Sequence, residues 1–246
     1  MSPSFYKDFI CINVLAKDVE NAKEVYEKTN GHCLIGLLSS HFSSVTDAVK
    51  EIRSYHTAVD GAISIGLGGG NPDQWKMVCD ITREVDIPHI NQVFPKVGYT
   101  YGISKNKHTW INALVHPTDK VGYVNIATGP ESGKLSPADI PVRTAIAIIK
   151  EMGGNALKLF PLKGLQLKDH YKHIAEICAE ENFPLEPTGG ITLENFQEII
   201  TIAKDAGIKK LIPHVHSSIV DQSTGLTNIN AIERLYSMMQ EVTDNQ

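Results

Sequence analysis

Cysteine is scarce in this chain, and the four present, Cys11, Cys33, Cys79 and Cys178, form no C-x-x-C pair that would suggest metal or redox chemistry. Set singly in apolar segments, they are expected to be buried, reduced thiols of a cytoplasmic protein. Basic excess is also lacking: 23 lysines and arginines against 28 acidic residues leave a net charge of −5, interleaved along the chain. Without a basic stripe to neutralise a phosphate backbone, nucleic acid is not expected as a partner. The apolar stretch 9–16 is too short to span a bilayer and has neither the basic flank nor the cleavage site of a signal peptide, so no membrane association is expected. Internal repeats, low-complexity tracts and Pro/Ser linkers are absent as well, so 1–246 reads as a single domain.

What is present is an alternation. Short β-branched runs at 9–15, 33–38, 62–67, 89–93, 111–115, 121–127, 156–160, 184–187 and 209–213 are separated by helical periodicity at 19–28, 44–55, 72–85, 138–152, 168–180, 193–205 and 229–242. Alternating β and α units argue for an α/β fold with a parallel sheet, and the length suits an eight-stranded (β/α)8 TIM barrel. Nine runs are one too many. The pair 111–115 and 121–127 is separated only by a short loop carrying Pro117 and Asp119, so the second of them is a candidate hairpin excursion. Ser136-Pro137 and Thr192 with Asn195 suggest helix starts, and Gly153-Gly154 and Gly207 suggest helix stops.

Because barrel chemistry sits at the carboxyl ends of strands, residues just after each run carry most weight. Lys158 interrupts the apolar run Ala156-Leu157-Lys158-Leu159-Phe160-Pro161. Alternation places Lys158 and Phe160 on one face and Leu157 and Leu159 on the other. Burial there disfavours the ammonium and favours the neutral amine that attacks a ketone; a structural salt bridge or a snorkelling side chain is the other reading. In the next run, Glu186-Pro187-Thr188-Gly189-Gly190-Ile191 ends in a Gly-Gly turn before a helix. Backbone amides in such a turn can approach a phosphate or carboxylate, although tight βα turns also need glycine on steric grounds alone.

Taken together, Lys158-Leu159-Phe160-Pro161 and Pro187-Thr188-Gly189-Gly190-Ile191 resemble the signature of the 2-keto-3-deoxy-6-phosphogluconate and 4-hydroxy-2-oxoglutarate aldolases, over about 156–218. The resemblance implies a class I aldolase, commonly a homo-oligomer and without organic cofactor. In it Lys158 forms a Schiff base with a 2-keto acid, Thr188 helps bind the keto acid, and Gly189 and Gly190 contact the phosphate. Val215-His216-Ser217-Ser218 keeps hydroxyls where that family has a Gly-Gly-Ser phosphate turn. The family's Leu-Glu-Val-Thr-Leu-Arg strand, with its catalytic glutamate and carboxylate-binding arginine, has no counterpart in the N-terminal half.

A replacement base is therefore required, and Glu186 is the leading candidate because it shares a strand face with Thr188. His116 and His41 are weaker ones. For the substrate's anionic groups, Arg143 near a helix start and Lys163 in the loop after Pro161 are candidates, the other arginines, Arg53, Arg83 and Arg234, lying inside helical stretches. The loop Gly66-Leu67-Gly68-Gly69-Gly70-Asn71 reads as an active-site βα loop able to cradle phosphate, with Gly68 and Gly69 as contacts; it lacks the lysine of a P-loop. His214 and His216 alternate onto one strand face, as two metal ligands would, but no third ligand lies nearby in sequence, and no metal is assigned. A metal-dependent aldolase using this pair and a non-catalytic sugar-phosphate-binding barrel are the rival readings.

Overall fold

The computed structural model describes residues 2–244. Its elements run β1 (Ile12–Leu15), α1 (Val19–Lys28), β2 (Cys33–Leu38), α2 (Val45–Ala58), β3 (Ile63–Gly66), α3 (Trp75–Glu84), β4 (His89–Val93), α4 (Val97–Ile103) and β5 (Trp110–Pro117). They continue with β6 (Tyr123–Asn125), β7 (Asp139–Pro141), α5 (Val142–Glu151), β8 (Ala156–Leu159), α6 (Lys168–Glu180), β9 (Leu185–Pro187), α7 (Phe196–Asp205), β10 (His214–Val215) and α8 (Ile229–Asp244). Parallel pairing runs β10-β1-β2-β3-β4-β5-β8-β9, and bridges Leu185–Leu211 and Thr188–His214 close the ring. Each of these strands is followed by one helix, which is the (β/α)8 TIM barrel.

The ninth run is an excursion. β6 pairs antiparallel with the end of β5, and β7 with β6, so the hairpin stands outside the ring and delays α5 to Val142. That shift leaves Ser136-Pro137 in the loop ahead of β7 rather than at a helix start. Two other boundaries also move. The last strand, expected to end at residue 213, bridges through Leu211 and pairs through His214 and Val215, which draws His214 into the barrel wall. α4 has no counterpart in the periodicity because Gly98 and Gly102 dilute it.

Apolar packing lies mostly between strands and helices. Ile12, Val14, Ile35, Ile63, Ile65, Ile111, Leu157, Leu159, Leu185 and Val215 are buried there against the inner helix faces, including Ile52, Ile146, Ile174, Ile199 and Leu235. Side chains of Asp18 and Ser44 cap α1 and α2 by accepting from the backbone N–H of Asn21 and Asp47. Inside the barrel, a small separate cluster of Cys11, Leu34 and Ile212, with Phe5 and Trp110 packed against it, plugs the amino ends of the strands. All four cysteines are buried and free, and burial pushes the Cys33 thiol up to about 12, so they are inert packing groups. No helix among the described residues is long and apolar enough to cross a membrane.

Candidate active site

Above the apolar plug the barrel interior turns polar, and above that polar layer a cavity of about 350 Å³ opens. On β8 the strand alternation sends Leu157 and Leu159 into the core and Lys158 inward. The Lys158 amine donates to Asn91 Oδ1 at 2.7 Å and lies 3.3 Å from His214 Nδ1. Burial pulls its pKa from 10.5 down to about 8, against the opposing attraction of Glu186. A lysine held this way keeps an appreciable neutral fraction near neutral pH, which is the nucleophilic form.

Glu186, in register with Lys158 across β8 and β9, lies one layer deeper and is 0 % exposed. Its carboxylate accepts from Trp110 Nε1 at 2.8 Å and Asn112 Nδ2 at 2.5 Å, and faces His89 Nε2 at 3.1 Å and His214 Nε2 at 2.9 Å. Burial alone would raise this carboxyl, but attraction to His89 and the hydrogen bonds of the two rings prevail and hold it well below the usual carboxylate range. An ionised carboxylate only accepts, so both facing nitrogens carry the proton. His89 Nδ1 lies 2.7 Å from the Ser64 hydroxyl, and His214 Nδ1 presents its lone pair to the Lys158 amine. Burial, and next the Lys158 charge, push His214 well below its ordinary pKa, leaving the ring neutral. His216 is pushed down to about 3 by the same two causes. The result is a chain Lys158–His214–Glu186 in which a carboxylate orients an imidazole and the imidazole meets an amine.

Several expected site residues reach the cavity and others do not. Thr188, Ser217, Gly68 and Gly69 line it beside Lys158, His214 and His216. Glu186 does not: it reaches the amine only through His214, because its oxygens are spent on four partners. Gly189 and Gly190 lie outside the lining. A Cβ on Gly190 would come within 2.6 Å of Gly164 N, so glycine is demanded there by packing against the preceding βα loop. Lys163 in that loop is exposed, and the Ser218 hydroxyl donates to Ile191 O at 2.8 Å. Arg143 pairs with Glu180 and Glu181 at the end of α6 instead of an anion at the barrel mouth. His116 sits at a neighbouring recess, its Nδ1 2.6 Å from Phe160 O, while His41 is exposed on a single helical turn.

His214 and His216, the pair of the rival metal reading, do not share a three-ligand group among the described residues. The group close enough for one ion is His89, Glu186 and His214, whose ligand atoms lie within 4.8 Å of one another. A cation there would face the Lys158 amine across His214 and compete with Trp110 and Asn112 for Glu186, so the donor set fits an ordered hydrogen-bond network better than a metal. Sequence reasoning also passed over His89, Asn91, Asn112 and Asn13. Their signal is a polar residue at alternate positions of an apolar run, as in His89-Ile90-Asn91.

A closed (β/α)8 barrel with a buried lysine amine and a carboxylate-oriented imidazole at its carboxyl-end cavity is the architecture of an aldolase class of lyases. The chain belongs to the KDGP aldolase family, whose model matches residues 6–223. It is 38 % identical over 240 residues to the 2-dehydro-3-deoxy-phosphogluconate aldolase of Salmonella typhimurium, covering 96 % of this chain and 97 % of that one. The relationship thus extends far beyond 156–218. The fold is shared with a fructose-1,6-biphosphate aldolase from Coccidioides immitis at 12 % identity and a TM-score of 0.59, over 97 % of this chain and 92 % of that one. It is likewise shared with a 3-hexulose-6-phosphate synthase at 11 % identity and a TM-score of 0.57, over 92 % and 98 % of the two chains.

Proposed function

We propose that this protein is a class I aldolase that cleaves 2-keto-3-deoxy-6-phosphogluconate to pyruvate and glyceraldehyde 3-phosphate. The observation that carries the reading is the Lys158 amine, pulled down to about 8 by burial and held between Asn91 and His214 in the cavity wall. The neutral amine adds to the C2 ketone, and loss of water gives an iminium. A base takes the C4 hydroxyl proton, the C3–C4 bond breaks, glyceraldehyde 3-phosphate departs and the electron pair forms the enamine. Protonation at C3 and hydrolysis then release pyruvate and regenerate Lys158. No organic cofactor enters this sequence.

His214 is the group best placed to move protons, since its free Nδ1 faces the amine and its Nε2–H is anchored on Glu186. Glu186 therefore acts as the orienting carboxylate in this scheme. Thr188 and Ser217 supply hydroxyls to the substrate, and the Gly68-Gly69 backbone, open to the cavity, is the phosphate cradle. 4-Hydroxy-2-oxoglutarate offers the same ketone and C4 hydroxyl and is a second substrate. Free buried thiols support a cytoplasmic setting, and a homo-oligomer completes the reading. The test is incubation with pyruvate and borohydride followed by peptide mass spectrometry: the adduct is expected on Lys158, with cleavage insensitive to chelators. A label on another lysine, or cleavage abolished by chelation, overturns the assignment.

A further inference from the structure

We propose that Asn13 recognises the carboxylate of the keto acid through its side-chain amide N–H; the inference rests on the Schiff-base reading of Lys158. Asn13 is 1 % exposed and lines the cavity, yet its Nδ2 has no hydrogen-bond partner. Buried amide donors are almost always paired, so an orphan donor on a residue of the cavity wall points to a ligand that completes it. The other end of the amide faces the barrel wall: Oδ1 lies 3.5 Å from His216 Nε2, and the missing side chain of Gly36 makes room for it, a Cβ there coming within 3.0 Å of Oδ1.

Position selects which part of the substrate Asn13 meets. Across β1 and β10, Asn13 pairs in register with His214, whose ring touches the Lys158 amine, and Thr188 bridges to His214 on the other side. The carboxylate carbon is bonded directly to the ketone carbon that Lys158 attacks, so it must settle beside this cluster, whereas the phosphate lies at the far end of the six-carbon chain. Charge provides the second argument. No arginine lines the cavity, and Lys158 is its one lysine, already committed to the ketone. The carboxylate must be held by neutral donors, and Asn13 Nδ2 is the fully buried one among them that has no partner.

The test compares two ketones on the whole protein. Pyruvate and acetone present the same carbonyl, but acetone has a methyl group where pyruvate has a carboxylate. Half-saturating concentrations for borohydride trapping on Lys158 are measured for the wild type, for Asn13→Ala and for the isosteric Asn13→Asp, with Asn13→Ser as a smaller variant should one of these lose its cooperative melting transition. Removing a hydrogen bond to a charged group should raise the value for pyruvate by about tenfold or more. The aspartate, which repels the carboxylate, should raise it further, while acetone stays as in the wild type with Asn13→Ala, which brings no charge near the Lys158 amine. Equal losses for both ketones, or no loss for pyruvate, overturn the role of Asn13 alone. Failure of the wild type to trap either ketone on Lys158 defeats the Schiff-base reading itself.

Discussion

On β8 and β9, Leu157, Leu159 and Leu185 face the helices and are fully buried in the main core, whereas the residues between them, Lys158 and Glu186, face the barrel axis and bond only to polar groups. The same contrast recurs on β4, with Ile90 outward and His89 and Asn91 inward, and on β10, with Val215 outward and His214 inward. A period of two lets one short strand satisfy two unrelated demands. The outward face specifies the fold by area and volume, and it would serve any barrel. The inward face is costly, because a carboxylate and an amine are taken out of water, and it persists only because each is matched by named partners. Stability and chemistry are thus separable by face, and substitutions can test that separation.

Lys158→Met should have the largest effect: no adduct and no cleavage, with the cooperative thermal transition retained because Asn91 Oδ1 still accepts from Asn112 at 2.7 Å. Unfolding of this variant would mean that the inward face also holds the barrel together. Next, His214→Asn should keep the fold and lower cleavage by roughly 10²–10⁴-fold, the usual contribution of a positioned proton-transfer group; near-wild-type turnover would move the base elsewhere. On the opposite face, Leu159→Ala should cost ~2–5 kcal/mol of stability in denaturant melts while leaving turnover per folded molecule unchanged. A fall in turnover there would show that outward packing tunes the site.

The faces explain how far the chain could be read before its structure was known. Alternation sufficed to turn Lys158 inward and the flanking leucines outward, and the βα rhythm sufficed for the barrel with its hairpin excursion at 121–127. Glu186 could be placed on the inward face, but not given its depth. Its partners Trp110, Asn112, His89 and His214 come from three other strands and meet only when the ring closes. The Gly189-Gly190 turn has the composition of an anion cradle and the surroundings of a packing joint, a distinction set by the neighbouring loop at Gly164. Arg143 shows a related point: a helix start near the barrel mouth does not say which way a long side chain reaches, and Glu180 and Glu181 at the end of α6 claim it.

The smallest expected effect is the most discriminating, because it asks whether the buried carboxylate is sensed by the amine at all. Burial lowers the Lys158 pKa to about 8 and Glu186 raises it, so the neutral fraction and the rate of Schiff-base trapping should climb as pH rises through about 8. Glu186→Gln keeps the shape, removes the raising influence and should move that midpoint to lower pH, even as cleavage falls because His214 loses its anchor. Linkage gives the sign for stability. With a folded pKa near 8 against 10.5 when exposed, the unfolded chain binds more protons across that window. The stability contribution of Lys158 is therefore fully present above 10.5 and declines as pH falls through about 8. In Glu186→Gln the decline should extend to lower pH. Trapping rates and denaturant melts, each followed against pH for both proteins, measure the two shifts. If the trapping midpoint stays put, Glu186 acts on His214 by orientation alone, and the contrast between the faces reduces to geometry; an upward move would require the amine to gain a new anionic partner in the variant.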